Sequence, residues 1–255
     1  MMEVVRLCEL LLNSKNAIAF TGAGMSTESG IPDFRSPGTG LWEKLDPALL
    51  HISVLRSDPE TYYKNFKLFA AMGQGHQPNA GHFALAKLEE MGLIKKVVTQ
   101  NVDSFHTISG SKNVLEVHGH LRECSCMKCG KVFPYKILAD YLQRNEYRPL
   151  SPCCHQILRS AVVNFGDSLP YEFHAFMTNE LPAVDFCLVI GTSLAVYPAA
   201  QIPEQVDKVA IINKTATAQD SKAQLVIHDS IGSTLEALVE EVVKRRTSKL
   251  LLRRK

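Results

Sequence analysis

Three groups of side chains in this 255-residue chain have types and spacings that suit chemistry. The first is sulfur. "ECSCMKCGK" carries Cys124, Cys126 and Cys129, and "SPCCHQILR" carries adjacent Cys153 and Cys154 followed by His155. Cys126 and Cys129 make one Cys-x-x-Cys hook, half of a usual four-thiolate zinc site, but the second half is not a hook. The second group is the glycine loop "AFTGAGMSTESGIPDFR". Gly22 and Gly24 let backbone N–H groups approach a phosphate, and Ser26 and Thr27 offer hydroxyls. The spacing is neither G-x-G-x-x-G nor a Walker motif, so a nucleotide phosphate site is expected without the usual fingerprints. Taken alone, the loop reads equally as an ordinary glycine turn. The third group is Gln100, Asn101 and Asp103 in "TQNVD", with His118 in "EVHGH". An imidazole with a pKa of about 6.5 can take a proton at neutral pH. Asp103 can equally cap a helix.

These residues need a scaffold, and the apolar pattern supplies one. Short Val- and Ile-rich runs occur at 17–20, 96–101, 114–119, 160–166, 186–193, 208–213 and 225–227. Near-continuous apolar runs suit parallel strands covered on both faces. Amphipathic helices are expected between them. The N-terminal helix places Glu3, Arg6 and Glu9 at helical spacing. Segment 79–92 puts Phe83, Leu85, Ala86, Leu88 and Met91 on one face, and a last helix follows Asp229. The alternation predicts an α/β fold with a doubly wound, mostly parallel, Rossmann-like sheet. Glycine and the strand-end polar residues then fall where ligands sit in such sheets.

Two segments break the rhythm. Residues 31–78 open as a Pro/Gly loop and continue helically, and residues 120–159 hold the cysteines and a helix. The expected organisation is therefore a nucleotide-binding domain from 1–30, 79–119 and 160–245. Inserted into it are the loop-and-helix segment 31–78 and a small zinc-binding module, 120–159. A basic tail, 246–255, follows.

Charge and cysteine usage narrow the setting. The net charge is +2, yet the last twelve residues hold seven of the 28 basic side chains and no acid, leaving 21 basic against 26 acidic elsewhere. Such a tail can touch nucleic acid or an anionic membrane, but a solvated helix end is the plainer reading. No nucleic-acid partner is expected, and no apolar run approaches membrane-spanning length. The odd cysteine count, its clustering and the lack of a secretion signal favour a cytoplasmic protein with metal-binding thiols over disulfides. Cys8 and Cys187 fall in a helix and a strand and read as core residues. Oligomeric state has no signature in the sequence.

Together, "GAGMSTESGIPDFRSPGTGLW", "TQNVDSFH" and "EVHGH" closely resemble the sirtuin family of NAD-dependent protein deacylases, over roughly residues 10–240. The resemblance implies that Gly22, Ala23, Gly24 and Thr27 cradle the NAD pyrophosphate. Phe34 would shield the reacting sugar carbon and Arg35 would contact phosphate. Gln100 and Asn101 would hold ribose, with Val102 and Asp103 at the nicotinamide amide. Gly191, Thr192, Ser193 and Asn213 would bind the adenosine half, with Ile231 against adenine. It implies His118 as general base. It also implies that "VNFGDSLP" pairs with an acetylated peptide as an added strand, Val163, Phe165 and Gly166 lining the acyl-lysine tunnel.

The resemblance also gives the cysteines a register. The family's last zinc cysteine lies twelve residues before the glycine of "FG", which is Cys154 relative to Gly166. The third position is then Ser151, a poor ligand. Structural zinc is expected on Cys126, Cys129, Cys154 and Cys153, with Cys124 and His155 as alternatives to Cys153. Family members that take anionic acyl groups carry Tyr-x-x-Arg, but here Tyr63 is followed by Phe66, so neutral acyl groups are expected.

The expected activity is NAD-dependent protein-lysine deacetylation, with acetyl transferred to ADP-ribose and nicotinamide released. Mono-ADP-ribosyl transfer on the same scaffold and non-catalytic NAD sensing are the alternatives.

Overall fold

The computed structural model describes residues 2–252, with side chains described to Ser248. Along the chain run α1 (Met2–Leu12), β1 (Ala17–Thr21), α2 (Ile52–Ser57), α3 (Pro59–Ala71), α4 (Ala80–Glu90) and β2 (Ile94–Thr99). Next come α5 (Phe105–Ile108), β3 (Val114–Glu116), β4 (Glu123–Cys126), β5 (Val132–Pro134), α6 (Lys136–Gln143) and β6 (Leu158–Ser160). The chain ends with α7 (Tyr171–Ala175), β7 (Phe186–Ile190), α8 (Gln201–Glu204), β8 (Val209–Ile212), β9 (Leu225–Ile227) and α9 (Ile231–Leu252).

Six strands form one parallel sheet in the order β3-β2-β1-β7-β8-β9. The order reverses between β1 and β7, the place where open α/β sheets bind ligands. Two-residue periodicity explains why the central strands read as continuous apolar runs. Ala17 and Ala19 of β1, Leu188 and Ile190 of β7, and Ala210 and Ile212 of β8 face the core made with α1, α4 and α9. Their neighbours Ile18, Phe20, Cys187, Val189 and Ile211 face a second core with Phe173, Phe176 and Ile202. Each large side chain buried this way contributes about 1.5–3 kcal/mol. The doubly wound prediction is borne out.

The two inserted segments share one further core. Leu50, Leu55, Tyr62, Tyr63 and Phe66 from the first pack with Cys124, Leu138, Leu142 and Leu158 from the second. The second is built on a three-stranded antiparallel sheet, β5-β4-β6.

Three sequence expectations need correction. Segment 160–166 adds no strand to the parallel sheet. Only Leu158–Ser160 is strand, and it pairs with β4. The chain then bends to give the N–H of Val163 to the carbonyl of His118 (2.9 Å), and Phe165 bridges to His51. In α4 the inward face is His82, Leu85 and Leu88, while Phe83 is 53% exposed. A capping box sets that rotation: Asn79 accepts from the His82 N–H, and His82 accepts from the Asn79 N–H. Finally, no break occurs at residue 246, because α9 continues to Leu252. Arg245 meets Glu241 (2.7 Å) and Glu9 (3.2 Å), and Arg246 donates to the Met91 carbonyl (3.0 Å). Residues 253–255 of the expected basic tail lie outside the described residues. No helix among the described residues is long and apolar enough to cross a membrane.

Candidate active site

A cavity of about 830 Å³ opens at the C-terminal ends of the strands, where the sheet order reverses. The loop after β1 and the loop after β7 meet there at close range. A Cβ on Gly24 would lie 2.8 Å from the Cα of Gly191, so a side chain at 24 would force the loops apart. Ala23 and Gly24 line the cavity on one side, and Gly191, Thr192, Ser193 and Asn213 on the other.

Beneath them the ends of β1 and β2 are tied by side chains. Asn101 Nδ2 donates to the Gly22 carbonyl (3.0 Å) and the Ser26 hydroxyl (3.2 Å). Gln100 Nε2 donates to Thr192 Oγ1 (3.0 Å). Ser26 donates to Asp103 Oδ2 (2.7 Å), and Asp103 Oδ1 accepts from the Phe105 N–H (2.9 Å). Asp103 therefore lines the cavity and also holds the first N–H of α5, although the N-cap position itself is Ser104. Burial pushes its carboxyl pKa up, against the hydrogen bonds that favour the charged form.

His118 lies at the same cavity, with Val102 beside it. Its Nδ1 is 3.1 Å from the Gln100 carbonyl oxygen. A carbonyl only accepts, so Nδ1 carries the hydrogen and Nε2 keeps a lone pair. Burial lowers the pKa of this ring, and the Gln100 hydrogen bond offsets only part of that. His120 is not among the cavity-lining residues; it faces Glu123 at 4.0 Å.

The next wall is aromatic and apolar. Phe34 lines the cavity and packs on Trp42, with centroids 4.9 Å apart. Phe66 and Phe69 of α3, with Met72 just past its end, continue that wall. Arg35 is the one Lys or Arg among the described lining residues. Tyr63, by contrast, is fully buried behind Phe66 and donates its hydroxyl to the Leu158 carbonyl. The last wall is Val163, Phe165 and Gly166. Asp167 fixes this segment: its Oδ2 accepts from the Asn164 N–H (3.0 Å) and from Arg159 (2.7 Å).

Three expected residues stand elsewhere. Gly22 lies under the loop, with its carbonyl on Asn101. Thr27 spends its hydroxyl on the Gly24 carbonyl (2.9 Å), and Ser26 is the hydroxyl at the cavity. Ile231 is 3% exposed in the core and does not line the cavity. Its N–H donates to Glu28, which caps the start of α9 (2.9 Å). Sequence reasoning missed Phe69, Met72 and Asp167. The signals were the Phe66/Phe69 spacing and the acid following "NFG".

Away from the cavity, the sulfurs of Cys126, Cys129, Cys153 and Cys154 all lie within 4.8 Å of one another. Tetrahedral zinc with thiolates at about 2.3 Å needs sulfurs about 3.8 Å apart, so these four fit the ion. The donor chemistry agrees. Cys154 is pushed up to about 12 by neighbouring Cys129 and Cys153, crowding that a divalent cation relieves. Cys124 is not in the cluster but buried in the core the two inserted segments share, and Cys153 completes the set. Ser151, at the vacated third position, donates to Cys126 Sγ (3.2 Å).

A family model for the Sir2 family matches residues 22–198. An "NAD-dependent protein deacetylase 2" of Caldanaerobacter subterraneus is 43% identical, covering 90% of this chain and 92% of that protein. An "NAD-dependent protein deacylase 2" of Archaeoglobus fulgidus is 35% identical, covering 97% and 99%. A structure of Sir2 with a deacetylated p53 peptide and 3'-O-acetyl ADP ribose superposes with TM-score 0.86 at 33% identity, covering 94% of this chain and 98% of that one. One of Sir2 with a p53 peptide and NAD+ gives 0.82 at 34%, covering 92% and 97%. With the sheet order, the cavity and the sulfur cluster in agreement, this chain belongs to the Sir2 family.

Proposed function

We propose that this protein is an NAD-dependent protein-lysine deacetylase that moves the acetyl group of acetyl-lysine to ADP-ribose and releases nicotinamide. One observation carries the reading. A single cavity joins a neutral, anchored imidazole at His118 to the Gly24/Asn101/Asp103 wall on one side and the Val163–Gly166 segment on the other. Bound NAD supplies an activated ribose carbon with nicotinamide as its leaving group. Ala23 offers its backbone N–H and Arg35 its charge to the phosphates, and Gly24, whose own N–H is spent on the Gly191 carbonyl (2.8 Å), leaves the phosphate wall free of a side chain. Gly191, Thr192, Ser193 and Asn213 hold the adenosine half, and Gln100 and Asn101 the ribose. Asp103 and Val102 bind the carboxamide. Phe34 excludes water from the sugar, and His118 Nε2 takes a proton from a ribose hydroxyl. Val163, Phe165 and Gly166 take the peptide as an added strand.

The apolar wall of Phe66, Phe69 and Met72 supports a neutral acyl group, acetyl first. Zinc on Cys126, Cys129, Cys153 and Cys154 holds the small lobe, and these thiols support a reducing, cytoplasmic setting. The test is incubation with NAD and an acetyl-lysine peptide, reading nicotinamide and deacetylated peptide together. Absence of both products sinks the proposal, and label from NAD ending on protein favours ADP-ribosyl transfer instead.

A further inference from the structure

The hydrogen bonds under the glycine loop form a circuit whose one gap falls between two buried histidines. On one side, Asn79 Nδ2 donates to the Met25 carbonyl (2.9 Å) and to Ser29 (3.0 Å), both in the loop. The Asn79 N–H donates to His82 Nδ1 (3.2 Å). On the other side, Asn101 holds the Gly22 carbonyl and Ser26, and its N–H donates to Thr99 Oγ1 (3.1 Å). Thr21 Oγ1 donates to Thr99 Oγ1 (2.8 Å), and His106 Nε2 lies 2.9 Å from Thr21 Oγ1.

His82 and His106 are 0% and 1% exposed, and their ring centroids are 4.9 Å apart. Each keeps one nitrogen without a protein partner among the described residues, Nε2 of His82 and Nδ1 of His106. Tautomer logic says what those two nitrogens are. Burial drops the rings to about 4 and about 3, so both are neutral. His82 accepts at Nδ1, so its hydrogen is on Nε2. The Thr21 hydroxyl hydrogen is spent on Thr99, so Thr21 accepts from His106 Nε2–H, and His106 Nδ1 is bare. The two neighbouring rings thus carry one leftover donor and one leftover acceptor. Buried polar groups left without a hydrogen bond are rare in folded proteins.

We propose that His82 donates to His106 and that this pair is a positioning device, closing the circuit that fixes Met25, Ser26 and Asn101 for the nucleotide. Neither ring lines the cavity. Both act through Thr21, Thr99 and Asn79, and the functional part of the inference rests on the NAD reading above.

Two measurements on the full chain test it. In ¹⁵N-labelled wild-type protein at neutral pH, both histidines are expected neutral with the hydrogen on Nε2. A His106 carrying its hydrogen on Nδ1, or either ring charged, overturns the pairing. His106→Met keeps bulk but removes both nitrogens. It is expected to raise the KM for NAD about tenfold while the KM for acetyl peptide stays within about twofold. His106→Gln, whose amide can reach Thr21, is expected to recover most of that. A folded His106→Met with unchanged KM for NAD overturns the positioning role, and if that variant does not fold, the wild-type tautomers decide. Wild-type protein without turnover would sink the deacetylase reading alone, since tautomers and direct NAD titration need no turnover.

Discussion

His118 is fastened by Nδ1 to the carbonyl oxygen of Gln100, 3.1 Å away. Gln100 is itself held at its side chain by Thr192, across the sheet reversal. The imidazole is therefore fixed in one tautomer by the same strand end that carries Asn101 and Asp103.

With Nε2 as the basic atom, His118→Ala should lower deacetylated peptide formation by about 10²–10⁴-fold and leave the affinity for NAD within a few fold. Burial lowers the pKa of the ring, so the neutral base persists below the ordinary histidine range. The acid limb of the rate profile should lie below about pH 6.5. An acid limb above that value would show that His118 is not the titrating base.

The residue after the base is under a harder constraint. Gly119 has φ +74, and a Cβ there would stand 1.9 Å from the Ala161 carbonyl oxygen. That carbonyl begins the segment whose Val163 N–H binds the His118 carbonyl at 2.9 Å. Gly119→Ala must push the Ala161–Val163 segment away from His118, at a cost of about 2–4 kcal/mol. Chemical denaturation should report that loss, and wild-type stability in the variant would contradict the contact.

Much of this was legible in the sequence because the signals were local. Apolar runs marked every strand of the main sheet, and "GAG", "TQNVD" and "EVHG" fell at strand ends as expected. What was not legible depended on packing between distant segments. Ile231 was expected at adenine, but Glu28, 203 residues away in sequence, captures its N–H. Phe83 was expected inward, but the Asn79–His82 box rotates α4. The third thiol stayed ambiguous because only the fold of the 151–156 turn shows that Cys153, and not Cys124, reaches the cluster.

That turn makes a metal prediction. Zinc analysis should give about one ion per wild-type chain. Cys153→Ser should lose it with the cooperative unfolding of the small lobe, whereas Cys124→Ser should keep it. Zinc retained by Cys153→Ser would remove Cys153 from the set.

Acyl selectivity follows from the cavity wall. Phe66, Phe69 and Met72 offer no cation, and Arg35 stands at the phosphate side in the proposed arrangement. An acetyl peptide should exceed a succinyl peptide in kcat/KM by at least about tenfold, the usual size of one missing charge-assisted contact. Equal rates would mean that a cation reaches the acyl end.

The buried histidines make acid stability the most discriminating measurement. The unfolded chain protonates histidine near pH 6.5, as is ordinary. The folded chain protonates His82 only near 4 and His106 only near 3. Between those limits the unfolded state holds more protons, so stability falls as pH falls, by on the order of 2–3 kcal/mol per pH unit for two rings. Asp103 works the other way: its raised carboxyl takes a proton first in the folded state and adds stability there. Urea denaturation from about pH 7.5 to 4.5 should show a slope above two protons, because burial lowers His118 and His120 as well, and the slope should fall by about one proton in His106→Met. A flat profile across that range would mean that the rings are charged or solvated, and no neutral donor–acceptor pair could then lie beneath the glycine loop.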